Sequence, residues 1–322
     1  MDVRPLKDER VLLTGATGFL GCHLARRLLA SGARVYALLR KGTGRHRIAD
    51  IIPMIEVVEG DLLDAESVGK AVERVAPSIV YHLAAFGVDR PLEDPGRAAA
   101  VNVVGTVHLL EALRRQPPQR FVYTGTCYEF SDCEGPVGPE MRPNPANLYA
   151  ATKLAGGLMC DTYRRMYGMP AVVVRPFQCY GPWQGPRPLI PSIILRLSKG
   201  ERVPLTSGRQ IRDFVYVDDV IEGLLLAGTR TEAVGEAFHF GSGRGASVRE
   251  VAELVQALMG LQDRLDFGAL PHRAGEVWDL RADNTRATAL LGWEPRTSLE
   301  DGLRRTIEWY GANARDIGQL EP

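Results

Sequence analysis

The chain has 322 residues, with 39 lysines and arginines against 39 aspartates and glutamates. That balance creates no field to draw in nucleic acid or an anionic membrane, and the length suits two domains or one large α/β unit. No apolar run reaches membrane-spanning length, the N-terminus lacks a secretory apolar core, and the five cysteines (22, 127, 133, 160 and 179) show no paired spacing. A cytoplasmic protein with reduced thiols and no structural metal is expected.

Arg10 to Thr14 reads as a buried strand, Gly15-Ala16-Thr17-Gly18-Phe19-Leu20-Gly21 follows at once, and Cys22 to Ala30 continues with helical apolar spacing. Strand, Gly-x-x-Gly-x-x-Gly, helix is the setting of a dinucleotide-binding loop. The glycines let backbone approach a pyrophosphate, and the helix start offers free N–H groups and a positive dipole end. Gly15, Thr17, Gly18, Phe19, Leu20 and Gly21 are therefore candidate cofactor contacts.

The next strand, 34–39, ends at Leu39-Arg40-Lys41, with Arg45 and Arg47 in the loop beyond. Chains that bind NAD usually place an acid there for the ribose 2′-hydroxyl, whereas an arginine suits a 2′-phosphate. Arg40 thus favours NADP(H) over NAD(H), although so basic a stretch also fits a solvated loop. Asp61, beside Leu62, closes a strand near 55–58 and is placed to accept from an adenine amino group. In the strand near 79–83 and just after it, the short residues around Leu83, Ala84 and Ala85 let backbone pass close to a cofactor. His82 reads there as a packed strand histidine rather than a base.

A helix spans roughly 98–115, with Val101, Val104, Val107, Leu110 and Leu113 spaced for one buried face. A strand over 121–124 leads to Thr124-Gly125-Thr126, and a helix over roughly 148–168 carries Tyr149 and Lys153. Four residues apart on a helix, the phenol and the ammonium point to the same side. A phenol titrates near 10 and is a poor base at neutral pH, but a neighbouring cation favours its ionised form. Moving it to working pH takes a shift of about 3 units, or about 4 kcal/mol. Thr126 supplies a hydroxyl for the same substrate oxygen. A strand over 171–175 completes an alternation that argues for a doubly wound, Rossmann-type parallel sheet. Beyond Pro176, four prolines (182, 186, 188 and 191) break the chain into loops. Ser247 and Glu250 form a capping box opening a helix with Val251, Leu254, Val255 and Leu258.

Further motifs follow in order: Asn102-Val103-Val104-Gly105-Thr106, Arg175-Pro176-Phe177, Tyr180-Gly181-Pro182 and Arg212-Asp213-Phe214-Val215-Tyr216-Val217-Asp218-Asp219-Val220. With the glycine loop and the Thr126/Tyr149/Lys153 set, the chain resembles the extended short-chain dehydrogenase/reductases, specifically the nucleotide-sugar epimerase/dehydratase family. The resemblance covers nearly the whole sequence. It implies residues 1–176 as the NAD(P)-binding domain, with a segment about 210–245 returning to it. Residues 177–322 would mainly form a smaller α/β domain for the nucleotide sugar.

The resemblance also implies hydride transfer at a sugar carbon, usually C4, of a nucleoside-diphosphate sugar. Tyr149 would be the acid/base, Lys153 would hold the nicotinamide ribose and tune Tyr149, and Thr126 would orient the substrate oxygen. Pro176 falls among the cofactor contacts. Arg212 and Arg273 are candidates for the diphosphate, and Cys127, Tyr128 and Gln178 stand at substrate positions. In sugar 4,6-dehydratases an acid and then a glutamate or lysine would follow Thr126; here Cys127 and Tyr128 do. Glu129 comes one residue late, which on a strand turns its side chain to the other face. Gln178 replaces the usual asparagine. The expected reaction is therefore NADPH-dependent reduction of a nucleoside-diphospho-4-keto-6-deoxyhexose in deoxysugar biosynthesis. The alternatives, in falling order, are a 4-epimerase with tightly bound cofactor, a 4,6-dehydratase and a non-catalytic NADP sensor. A homodimer through the helices near 98–115 and 148–168 is a further expectation from the family.

Overall fold

The computed structural model describes residues 6–87, 94–131, 135–272, 275–314 and 317–320. Strand β1 (Arg10–Thr14) runs through the glycine loop into helix α1 (Phe19–Ala30). Then come β2 (Arg34–Leu39), β3 (Glu56–Glu59), α2 (Ala65–Val75) and β4 (Ile79–His82). Helix α3 (Pro95–Ala99) passes through a π-helical turn, Ala100–Val104, into α4 (Gly105–Arg114). The first half ends with β5 (Arg120–Thr124), β6 (Gly135–Val137), α5 (Leu148–Tyr167) and β7 (Ala171–Pro176).

The second half is made of shorter pieces. They are β8 (Gln178–Tyr180), α6 (Leu189–Ser198), β9 (Val203–Leu205), β10 (Ile211–Arg212), β11 (Phe214–Tyr216) and α7 (Val217–Thr229). After these come β12 (Ala237–Phe240), β13 (Ala246–Ser247), α8 (Val248–Leu258), β14 (Leu265–Phe267), β15 (Asp279–Ala282), α9 (Thr285–Leu291) and α10 (Leu299–Ala312).

Seven strands form one sheet in the order β12-β7-β5-β4-β1-β2-β3, and every pairing in it is parallel. Side chains of β1 alternate between its two faces, as strand geometry requires. Val11 and Leu13 join the core beneath α1 and α7, while Leu12 joins the core beneath α2, α4 and α5. β1 lies between β2 and β4, so the crossovers diverge at its C-terminal end and open a crevice there. β12, drawn from residues 237–240, completes the sheet beside β7.

A smaller sheet has the order β13-β10-β15-β6. Its strand β6, from residues 135–137, pairs with β15. Asp213 is buried where these parts meet; its carboxylate accepts from the N–H groups of Ser242, Gly243 and Ala282. Ser247 and Glu250 form the expected capping box on α8.

The structure alters three readings of the sequence. The helix over 98–115 is interrupted by the π turn, whose wider pitch rotates the buried face. Leu109, Leu110 and Leu113 are buried, whereas Val104 is 46% exposed. The strand ahead of Glu129 ends at Thr124, and Cys127–Phe130 forms a 3₁₀ turn. Strand alternation therefore does not govern Glu129. Arg47 is neither solvated nor turned to a cofactor phosphate. It is buried and donates to the carbonyls of Thr17 (3.3 Å), Trp183 (2.9 Å) and Leu320 (2.6 Å).

Candidate active site

The crevice at the ends of β1 and β4 is lined by backbone brought unusually close. Gly15 has φ +74°, and a Cβ there would stand 2.7 Å from the Ala84 nitrogen. A Cβ on Gly21 would stand 2.0 Å from the Gly15 carbonyl oxygen. Gly18 is the N-cap of α1 and contributes no side-chain cap, so the first N–H groups of the helix face the crevice without one. Thr17, Phe19 and Leu20 are half-buried around this loop, and Leu83, Ala84 and Ala85 line the facing side. This concave run of amides fits a pyrophosphate, and a dinucleotide bound there supplies a carbon that accepts or gives a hydride.

At the far end of the crevice, Asp61 is half-exposed, and one of its carboxylate oxygens accepts from the Leu63 N–H. Leu62 is buried, and its carbonyl oxygen accepts from His108 Nδ1 at 2.7 Å. Arg40 is exposed just past β2 and makes no ion pair among the described residues. His82 is wholly buried between two hydroxyls, with Nδ1 2.7 Å from Thr14 Oγ1 and Nε2 3.0 Å from Thr106 Oγ1. Burial, with Lys153 adding to it, drives its pKa down to about 3, so it is a neutral packed histidine.

Helix α5 carries the Tyr149/Lys153 pair. Asn147 caps it by accepting from the Ala150 N–H, which starts the helix just ahead of Tyr149. Tyr149 is half-buried, and Lys153, one turn on, is 2% exposed. The Lys153 ammonium lies 4.4 Å from the centre of the Tyr123 ring, whose hydroxyl donates to the Lys153 carbonyl (2.8 Å). Burial pulls the Lys153 pKa down to about 8, and the negative charge of Glu129 opposes that fall. The cation is retained at neutral pH, in a site dry enough for it to act strongly on a phenol.

Two elements seat this helix. Asn102, in the π turn, donates to Thr152 Oγ1 (2.9 Å) and exchanges bonds with the Phe86 backbone. Gly156 lets α5 approach closely, since a Cβ there would meet the Tyr123 hydroxyl at 2.3 Å. The roles of Tyr123 and Thr152 are not legible in the sequence, because both depend on how strand and helix face each other.

Across the site, β5 and β7 present Thr126 and its neighbours. Thr126 is buried, and its hydroxyl oxygen accepts from the Tyr128 N–H (3.3 Å) while the same hydroxyl bears on the Cys127 thiol. Pro176 is buried at the end of β7. Tyr128 donates its hydroxyl to Gln178 Oε1 (3.1 Å). Burial pushes the Cys127 thiol up to about 12, although Arg212 nearby opposes this. Cys127 is thus a neutral thiol and no nucleophile at working pH. Glu129 turns inward to an ion pair with Arg175 (2.7 Å). Arg212 pairs with Glu276 at 2.9 Å, both largely buried. Arg273 lies outside the described residues, as does Cys133; the other four cysteines are free thiols. Among the described residues there is no cluster of three or more His, Cys, Asp or Glu able to hold a metal, and no helix long and apolar enough to cross a membrane.

A sequence profile of the NAD dependent epimerase/dehydratase family matches residues 11–241. A UDP-glucose 4-epimerase from Mycolicibacterium smegmatis is 35% identical over 312 residues, covering 94% of this chain and 98% of the relative. The crystal structure of a UDP-glucose 4-epimerase from Thermotoga maritima with UDP-glucose superposes with TM-score 0.88 at 29% identity, covering 95% of this chain and 99% of that one. A dTDP-glucose 4,6-dehydratase from Streptomyces venezuelae, solved with NAD, has TM-score 0.88 at 29% identity, covering 97% and 99%. The glycine crevice, the α5 pair and these likenesses agree: the chain belongs to the NAD dependent epimerase/dehydratase family, within the extended short-chain dehydrogenase/reductases, and is an enzyme of that family.

Proposed function

We propose that the enzyme moves a hydride at C4 of the sugar in a nucleoside-diphosphate hexose, without an elimination step, and acts as a 4-epimerase. The observation that carries this is the withdrawal of Glu129 into its ion pair with Arg175, beside a thiol and a phenol at 127 and 128. Among the described residues, no carboxylate next to Thr126 is left to take a C5 proton. The likeness to the 35% identical UDP-glucose 4-epimerase supports inversion at C4 as the outcome.

In this reading Tyr149, as phenolate, would take the proton of the C4 hydroxyl while C4 gives its hydride to an oxidised dinucleotide in the crevice. It would return the proton to the C4 oxygen when that hydride comes back to the other face of the 4-keto sugar. Lys153 stabilises the phenolate, and the Thr126 hydroxyl donates to the C4 oxygen. Arg212 binds the diphosphate. Residues 1–176 with β12 form the cofactor domain, and most of the remainder holds the nucleotide sugar. Exposed Leu158, Met166 and Tyr167 on α5 support a homodimer through that helix.

A second reading, one-way reduction of a 4-keto-6-deoxy sugar by NADPH, is favoured by Arg40, which is exposed past the end of β2 and has no ion-pair partner among the described residues. Purified enzyme mixed with NADPH or NADH and a panel of nucleotide sugars separates the two. An altered sugar with no net change in absorbance of the reduced cofactor supports epimerisation. Stoichiometric loss of NADPH with a 4-keto sugar establishes reduction instead. Arg40→Glu should then weaken NADPH use by about tenfold, through one lost ionic contact, and leave NADH use little changed.

A further inference from the structure

Glu129 is a buried carboxylate on the 3₁₀ turn that the reading above leaves without a direct role in catalysis. It is 1% exposed. One oxygen accepts from the Thr126 N–H (3.0 Å), and the other accepts from Arg175 Nε (2.7 Å). The surrounding chain is built to hold it there. Gly125 has no room for a side chain, since a Cβ would stand 2.4 Å from Glu129 Oε1 and 3.3 Å from Arg175 Cγ. The Arg175 guanidinium packs 5.3 Å from the centre of the Phe130 ring, next to Glu129 on the same turn. His239, opposite Arg175 on the neighbouring strand, is kept neutral with a pKa near about 3, so it brings no competing cation.

We propose that Glu129 is a positioning residue for the reaction: bridging the Thr126 backbone and Arg175, it fixes the Thr126 hydroxyl against the substrate oxygen. Thr126 ends an extended segment and begins a 3₁₀ turn, so its backbone amide has no ladder partner. A buried carboxylate takes that place, and a charged acceptor makes the stiffer, stronger bond. The same charge faces Lys153 and helps hold it as a cation. Arg175 pairs with the carboxylate in a dry site, where an unpaired charge would be expensive. A dehydratase base would point into the sugar pocket. Here the carboxylate is turned away from it, and the hydroxyl of Thr126 is left to face the substrate.

This inference rests on the hydride-transfer reading of Thr126 and Tyr149. The test compares two double variants that both remove the buried ion pair. Glu129→Gln/Arg175→Met keeps an acceptor for the Thr126 N–H; Glu129→Ala/Arg175→Met does not. Thermal melting and cofactor fluorescence titration are used to match the two for folding and cofactor binding. The expected result is a kcat about tenfold lower in the alanine pair than in the glutamine pair, with KM for the nucleotide sugar within about threefold. Equal kcat in the two pairs would overturn the role of Glu129 and leave it a fold-stabilising ion pair. Tyr149→Phe, measured beside them, keeps the failures apart: turnover surviving in that variant overturns the reading of the site itself.

Discussion

The two ends of the crevice solve the same problem, holding an anionic ligand, in opposite ways. At the cofactor end the donors are backbone amides of the glycine loop and the uncapped start of α1, already in place and without side-chain partners. At the substrate end the polar groups already have partners within the protein: Arg212 with Glu276, and Tyr128 with Gln178. A dinucleotide meets a preformed cradle. On the proposed reading, a nucleotide sugar exchanges contacts with the protein's own carboxylate and amide. The cofactor end should therefore tolerate few changes, whereas the substrate end can be tuned in both directions.

The sharpest test stands where the two ends meet. Tyr149→Phe should lower kcat by about 10²- to 10⁴-fold while cofactor affinity stays within about twofold, as loss of an acid/base group requires. Stopped-flow turnover and cofactor titration measure the two. Next comes the rigid end. Gly21→Ala places a methyl 2.0 Å from the Gly15 carbonyl oxygen, so the loop must move. Cofactor affinity should fall by at least about 10-fold, with a destabilisation of about 1–3 kcal/mol by denaturant unfolding.

A third test uses one buried histidine at each end. His82 and His239 have folded pKa values near about 3, lowered from 6.5 by burial. Below 6.5 the unfolded chain takes protons that the folded chain refuses, so stability present above 6.5 is lost as pH falls toward 3. Each imidazole should contribute a slope of about 1.4 kcal/mol per pH unit in that window. Replacing either by glutamine should flatten the measured pH dependence of unfolding by about that amount. His82 has partners on both nitrogens, whereas His239 Nε2 is buried without one among the described residues, so the glutamine at 82 should cost more stability at neutral pH.

The mildest effects belong to the adaptable end. Arg212→Ala should raise KM for the nucleotide sugar by about 10-fold or more. Glu276→Gln, which frees Arg212, should lower it or leave it unchanged. A rise of KM in both variants would mean that Glu276 itself holds the substrate, and the contrast between the ends would fail on that side.

The sequence made the cofactor end legible because its signals are local. A glycine loop, the strand before it and the helix after it occupy adjacent positions and need no knowledge of distant contacts. Tyr149 and Lys153 were legible for the same reason, since helical spacing alone puts them on one side. The cause of the Glu129 orientation was not legible, because it depends on where β5 stops and on a buried arginine from another strand. Arg47 was read with its basic neighbours as a loop, yet carbonyls from residues 17, 183 and 320 enclose it. Val104 was placed on a buried face by 3.6-residue spacing that the π turn does not keep.

The place of β12 bears on how the chain is made. As synthesis proceeds, the end of β7 emerges 61 residues before the start of β12, since 237 minus 176 is 61. Until β12 docks, β7 is an edge strand with a row of valines at 172, 173 and 174 and open backbone groups. A fragment cut after Pro176 would carry that edge permanently, and its natural fate is pairing with another copy rather than life as a free cofactor-binding module.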